Sequence, residues 1–472
     1  MTLGTLLLLL VIVHSVILSV AVVLERRNPS AGLAWIGTLI FLPGVGVAAY
    51  WLIGRRRVRR RARWRGRTLE HRRNLAPPSP SLNRPSLPNP QQRIVMRLGA
   101  RLTGGLATTG NRVRLLRDAR QTYPEMIRAI QGAQKHVLLE SYIFRNDGVG
   151  KDFIAALTDA AARGVQTYVL VDGVGTWRTF LSAFRELEAQ GGKVAVFAPI
   201  RLPLFSDQLN FRNHRKILVV DGTVGFTGGL NIGEEYIGLD PSIGHWRDNH
   251  MCIRGPAVSY LQQVVLEDWF FATNDVLEHI EFADFNEHPG NATVQIIPSG
   301  PDLEWRSVQQ VLLRAMAGAM SRIFITSPYF IPDEATLNTL VNASLSGIDV
   351  RLLVPRKSDL RLVLWAGRSY YLDLLNAGVT IYEYESGFIH AKSYVVDDWM
   401  ASVGSANMDI RSFQLNFEVN AFVFDEEFAA TMATQFFEDL KHAREVTVEE
   451  YQNRPFLYRF GEGVARLVSP LL

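Results

Sequence analysis

The sequence predicts an α/β fold made twice, as two similar lobes, behind an N-terminal two-helix membrane hairpin. Three observations predict it. At 472 residues the chain is too long for one ordinary core, since single domains rarely grow far beyond about 250 residues. A ten-residue segment, Asn213 to Gly222, recurs as Ile389 to Asp398. The part of the chain before Arg55 holds two long uncharged stretches that nothing downstream matches.

The first stretch runs nineteen residues from Leu6 to Leu24 without a charge. At about 1.5 Å per residue it nearly matches the roughly 30 Å hydrocarbon thickness of a bilayer. A cleaved signal peptide is the rival reading, but Met1 to Thr5 carry no basic side chain and the apolar run exceeds a typical signal core. The second stretch, Asn28 to Gly54, has Trp35 and Trp51 towards its ends and Pro43 inside, which predicts interfacial rings and a kink. Nine arginines follow, at 55–57, 59–61, 63, 65 and 67. Basic residues flanking a membrane segment stay on the cytoplasmic side, which predicts a multi-pass protein of the cell membrane with a cytoplasmic body. The cluster also suits anionic headgroups. Without those nine the formal charge falls from +4 to −5, a poor balance for nucleic-acid binding. Six prolines between Pro77 and Pro90 mark a spacer. The predicted divisions are a hairpin over 1–54, a basic segment and linker over 55–93, and lobes over 94–285 and 286–472.

Both copies of the repeat read His-x-Lys, four mostly apolar residues, then Asp: His214, Lys216 and Asp221 in the first, His390, Lys392 and Asp397 in the second. Each continues to an asparagine seventeen positions after its histidine, Asn231 and Asn407. Small residues, among them Gly229 and Ser405, precede each asparagine, so backbone can come close to a ligand. The β-branched runs predict strands, which put His and Lys of one copy on one face. Asp221-Gly222 and Asp397-Asp398 are turn residues closing each hairpin. Segments 137–144 and 322–330 read as matching strands, each followed by a helix and a further strand, 165–171 and 350–354, the alternation of an α/β lobe.

These residue types suit phosphodiester chemistry. A phosphodiester repels nucleophiles, so its cleavage calls for cations around the oxygens, a nucleophile, and an acid for the leaving alkoxide. One neutral imidazole can attack phosphorus while the other, protonated, donates to the departing oxygen. Lys216, Lys392, Asn231 and Asn407, with Gly229 and Ser405 beside them, are the candidate phosphate-binding set, and they make a metal or other cofactor unnecessary. Each histidine also needs its second nitrogen oriented. In the second copy Glu418, downstream of His390, is the candidate, and Asp248, downstream of His214, is its counterpart in the first. The interval from 214 to 248 exceeds that from 390 to 418 by six positions, which implies an insertion in the first copy. His14, His136, His279, His288 and His442 share no spacing and read as core or solvated, while His245 and His250 stay open. Cys252 stands alone in an apolar run, so no intramolecular disulfide is available.

Two His-x-Lys-x4-Asp motifs followed by Gly-Gly or Gly-Ser and Asn resemble the phospholipase D superfamily. Within it the double membrane segment, Glu140-Ser141-Tyr142-Ile143-Phe144, Asn213-His214-Arg215-Lys216, Trp246-Arg247-Asp248, Ser327-Pro328-Tyr329-Phe330 and the ending Ala465 to Leu472 resemble bacterial cardiolipin synthases. The resemblance implies two lobes related by a pseudo-twofold axis with one motif from each in a single active site. It implies that His214 is the nucleophile and His390 the acid and base, and it carries Asp221 and Asp397 over as motif members, although their turn positions suit support of the fold. It implies transfer between two phosphatidylglycerol molecules through a phosphohistidine, with the membrane as partner and no nucleic acid or obligatory protein. The motifs leave the acceptor open: water, glycerol, ethanolamine or a second lipid can resolve the same intermediate, and a nuclease uses the same chemistry. A dead scaffold would lack motif residues, and none is missing.

Overall fold

The computed structural model describes residues 3–24, 29–50, 89–177, 179, 181–199, 211–239, 244–285, 289–358 and 360–469. The arginine run, Trp51, the linker before Asn89, the apolar segment 202–205, His288 and the last three residues lie outside them. The described residues form two compact units, the N-terminal helices and the body.

In the first unit α1 (Leu3–Leu24) is one uninterrupted helix. Its span Gly4–Leu24 has a mean hydropathy of 3.0, and among the described residues it is the one helix long and apolar enough to cross a bilayer. The second uncharged stretch makes two shorter helices, α2 (Pro29–Phe41) and α3 (Pro43–Ala49). They break at Leu42, where the following proline has no N–H to continue the ladder. Leu18 and Val22 of α1 pack with Leu39 of α2 and with Tyr50 just after α3.

Among the described residues the body is built on one fifteen-stranded sheet, with two small two-stranded sheets beside it. Its first half is built from β1 (Thr108–Arg117), β2 (His136–Ser141), β3 (Gln166–Asp172), β4 (Lys193–Phe197), β5 (Lys216–Val220), β6 (Val224–Gly228) and β8 (Asn249–Arg254), with the short β7 (Trp246–Arg247) beside it. The second half uses β9 (Ala292–Ser299), β10 (Arg322–Thr326), β12 (Asp349–Pro355), β13 (Thr380–Tyr384), β15 (Ser393–Val396), β16 (Met400–Gly404), β18 (Glu418–Phe424) and β19 (Ala443–Val446), with the short β11 (Phe330–Ile331), β14 (Phe388–Ile389) and β17 (Met408–Asp409). From the outside inward the halves read β4-β3-β2-β5-β6-β8-β1 and β13-β12-β10-β15-β16-β18-β9, with β19 added beyond β13. Strand follows strand in the same order and sense, and antiparallel pairing of β1 with β9 joins the halves at the centre.

Helices cover both faces, which is why a strand such as Ile217-Leu218-Val219-Val220 is apolar on every residue. One face carries α4 (Ala257–Thr273) and α6 (Glu426–Leu440), the helices that follow β8 and β18, and their side chains belong to a single core cluster spanning both halves. Two separate clusters fill the opposite face, one per half. The second-half cluster takes in α5 (Arg361–Arg368) through Ala366 and α7 (Phe456–Val468) through Ala465.

Candidate active site

Both repeat histidines sit in extended backbone just before a hairpin, His214 ahead of β5 and His390 between β14 and β15. Each is stitched to the other half of the sheet. The backbone N–H of His214 donates to the Phe417 carbonyl at 2.9 Å, and that of His390 donates to the Arg247 carbonyl at 2.7 Å. Matching parallel pairings run beside them, Asn213 with Phe417 and Ile389 with Arg247. The two motifs thereby face one cavity of about 740 Å³, lined from the first half by Tyr142, Arg212, His214 and Asn231 and from the second by His390, Asn407, Asp409 and Arg411.

The orienting carboxylates are exchanged between the halves. His214 Nδ1 lies 3.0 Å from Oε2 of Glu418, and His390 Nδ1 lies 2.8 Å from Oδ2 of Asp248. The sequence pattern pairs each carboxylate with the histidine of its own copy, and the structure corrects that. Spacing along one chain carries no information about which strand lies across a pseudo-twofold axis.

Gly229 and Ser405 are also corrected. Neither lines the cavity; each supports a carboxylate. The Ser405 hydroxyl donates to Glu418 Oε2 at 2.5 Å. A Cβ on Gly229 would stand 2.1 Å from Oδ1 of Asp248, so glycine there makes room for the carboxylate. Asn231 and Asn407 do reach the cavity wall. Asn231 accepts from the Ile143 N–H and donates to the Tyr236 hydroxyl, while Asn407 Nδ2 faces Ser412 and its buried Oδ1 has no partner among the described residues.

Lys216 and Lys392 lie buried beneath the histidines. Their ammonium groups donate back to the carbonyls of His214 and His390 at 2.6 and 2.5 Å, and Lys392 Nζ stands 2.9 Å from Nε2 of His390. Asp221 and Asp397 are not brought to the site. Five residues of strand, about 16 Å, separate Asp221 from Lys216. Each carboxylate instead accepts three consecutive backbone N–H groups, 134–136 for Asp221 and 320–322 for Asp397. Both residues take a positive φ in the hairpin turn. They hold the start of β2 and β10 against the turn and do not touch the reacting groups.

Burial and the pair of lysines set the charge states. Burial, with Lys392 and Lys216 close by, depresses the His390 imidazole well below its usual range; burial depresses His214 too, against the pull of Glu418. Burial lowers Lys216 to about 7 and raises Asp248 to about 6. Burial would also raise Glu418, but His214, Lys216 and the Ser405 hydroxyl outweigh it and keep the carboxyl below its usual range. An empty site therefore holds neutral imidazoles ready to attack, and an arriving phosphate anion raises their proton affinity.

Several further residues carry little signal in the sequence. Asp172, at the end of β3, accepts from the backbone of Val174, Gly175 and Asn213 and from Arg212 Nη1, fixing the approach to His214. Arg212 Nε and Nη2 are buried with no hydrogen-bond partner among the described residues, which makes this cavity cation a candidate for a phosphate oxygen. Glu140 and Asp268 clamp Asn213 and Arg215 from below. His250, two residues beyond Asp248, is buried with both ring nitrogens unpartnered among the described residues, and burial lowers it to about 4. Asp172 directly follows the predicted strand 165–171 and Arg212 adjoins the motif, so position in the pattern is the available signal.

Comparison with known proteins fits this geometry. The family model described as cardiolipin synthase, PLD-like domain, matches twice, over residues 126–268 and 312–440, and a phospholipase D-nuclease N-terminal model matches residues 7–55. The cardiolipin synthase of Geobacillus kaustophilus is 41% identical over 97% of this chain and 92% of its own length. The chain belongs to the cardiolipin synthase family. The major cardiolipin synthase ClsA of Bacillus subtilis is 39% identical and is aligned over the whole of both chains. Among solved structures, the phosphatidylserine synthase of Haemophilus influenzae superposes with a TM-score of 0.61 over 81% of this chain and all of its own, at 13% identity, a likeness of fold. In this member of the cardiolipin synthase family the PLD-like match falls once in each half, and each match contains one His-x-Lys motif.

Proposed function

We propose that this cardiolipin synthase joins two phosphatidylglycerol molecules, with His214 as nucleophile and His390 as acid and base. The observation that carries the reading is the convergence of both imidazoles on one cavity, each with its Nδ1 on a buried carboxylate. With Nδ1 engaged, Nε2 of His214 attacks phosphorus of the first lipid. The P–N bond forms, the P–O bond to glycerol breaks, and His390 gives its proton to the departing oxygen. The terminal hydroxyl of a second phosphatidylglycerol then attacks, its proton passes to His390 and the P–N bond breaks. Cardiolipin and glycerol result, and no net bond energy has to be supplied because one phosphodiester replaces another.

Lys216, Lys392, Asn231, Asn407 and Arg212 hold non-bridging oxygens in this reading. Phosphate raises the proton affinity of Lys216, whose low value in the empty site reflects burial without an anion. The α1 helix, with α2 and α3 as its companion segment, makes a membrane hairpin, and the arginines at 55–67 keep the body on the cytoplasmic side.

The test is to give the purified full chain labelled phosphatidylglycerol in detergent, without added metal, beside a His214→Ala control. Cardiolipin with free glycerol, absent from the control, supports the proposal. Phosphatidic acid alone makes the protein a hydrolase and overturns it.

A further inference from the structure

The helix α7 is amphipathic the wrong way round for a piece of the body. Its inner face is small or polar: Ala465 is fully buried, the buried Glu462 bonds to Arg454, and Arg466 lies over the Tyr370 ring at 4.3 Å. Its outer face is strongly apolar. Phe456 is 74% exposed, Leu457 78%, Phe460 60% and Leu467 81%. Soluble surfaces seldom leave so many large side chains together in water, and such a cluster marks a contact surface.

Two further observations say what covers it. Exposed cations accompany the apolar face, Arg459 on α7 itself, Arg361 at the first position of α5 and Lys357 four residues before it. A helix with aromatic and leucine side chains on one side and arginine at its flank lies in the plane of an anionic bilayer interface. The face is also continuous with the cavity. Gly461 of α7 sits against the Trp365 ring of α5, where an added Cβ would be 3.2 Å away, and Trp365 is itself 41% exposed. From there α5 runs back to Leu360 and Val363, which line the cavity. Leu239, half exposed, lies on the first-half wall of the same cavity.

We propose that the outer face of α7, continued by α5, docks the catalytic body on an anionic lipid leaflet, so that headgroups pass from the leaflet along α5 into the cavity. This rests on the lipid-synthase reading for what enters the cavity, and the docking itself is separately measurable. The occupant is the leaflet, whose acyl region accepts Phe456, Leu457, Phe460 and Leu467 while its anionic headgroups meet Arg459, Lys357 and Arg361. A second copy of the chain would bring like cations together.

The test uses the full chain reconstituted in phosphatidylglycerol vesicles. The single native cysteine, Cys252, is buried, so an environment-sensitive maleimide dye goes to Leu467→Cys or to the exposed control Glu188→Cys. Docking predicts several-fold stronger quenching by doxyl-labelled lipid at 467 than at 188. Equal quenching overturns it, and so does a blue-shifted dye at 467 that lipid labels cannot quench, the mark of a protein partner. In parallel, Leu457→Glu with Leu467→Glu is expected to lower turnover of long-chain phosphatidylglycerol in vesicles by about tenfold or more. Turnover of dispersed short-chain phosphatidylglycerol should change by less than about twofold on the same scale. Equal effects on both substrates argue against docking. Should the wild type make no cardiolipin at all, the synthase reading falls while the quenching result still decides the docking.

Discussion

The imidazole of His390, in the second copy of the repeat, is held through Nδ1 by Asp248 of the first copy at 2.8 Å. Glu418 of the second copy returns the arrangement on His214. Neither half contains a complete histidine-carboxylate pair, so each needs the other for its own chemistry. Glu418→Gln keeps the shape and removes the charge that orients His214 and stabilises its cationic forms. We expect kcat for cardiolipin formation to fall on the order of 10²-fold or more, the usual scale for disabling acid-base machinery, with the melting temperature nearly unchanged. A rate within a few-fold of wild type would show that the crossed pair does not serve catalysis.

The supports beneath the carboxylates should matter through the histidines. Ser405→Ala removes the hydroxyl donated to Glu418. Such a charge-assisted bond is worth about 1.5–3 kcal/mol, and each 1.36 kcal/mol is about a tenfold change in rate. Turnover of Ser405→Ala should drop by roughly tenfold or more. Gly229→Ala should be worse, since the added methyl would displace Asp248. Steady-state assays on labelled phosphatidylglycerol check both.

The pH profile carries a signature of the empty site. Asp248, raised to about 6, gains a proton as pH falls through that value and then no longer offers His390 Nδ1 the carboxylate that orients it. Lys216, lowered to about 7, loses its charge as pH rises and then no longer attracts phosphate. The profile of kcat/KM, which reports the free enzyme, should therefore be a bell with limbs near 6 and 7. The alkaline limb of kcat should lie higher, because bound phosphate keeps the lysine charged. Lys216→Arg should shift the alkaline limb of kcat/KM upward, since arginine stays protonated. A limb that does not move would remove Lys216 from the assignment.

For Asp397 the expectation is the reverse. Its carboxylate gathers the backbone of 320–322, the Ser321 hydroxyl and the Trp399 ring N–H, all remote from the cavity. Asp397→Asn should cost about 1–3 kcal/mol of stability, read as a lower melting temperature, while the folded fraction keeps its turnover within a few-fold.

The body's architecture is legible because it is written twice. The shared His-to-Asn interval and the paired apolar strands identify β2, β3, β5 and their counterparts without knowledge of any contact. The crossed carboxylates are not legible, because a twofold relation between halves leaves no mark in linear spacing. Gly229 and Ser405 read as phosphate contacts because small residues beside a motif suit a ligand and a packed carboxylate equally well. The N-terminal part reads as two long helices from the absence of charge, and the kink expected at Pro43 is a full break between two short helices at Leu42. Arg212 and Asp172 stay silent because they have no like-charged counterparts in the second copy; Phe388 stands as far beyond Arg212 as His390 stands beyond His214.

The step on which this chemistry turns is the passage of phosphorus through a histidine of the cavity, and rapid-quench trapping reports it. The full chain is mixed with phosphatidylglycerol labelled at phosphorus, quenched in alkali within one turnover, and its peptides are mapped. Label should appear on His214 before cardiolipin and decay as cardiolipin forms. Cardiolipin made at the wild-type rate with no label on any histidine would rule the covalent route out.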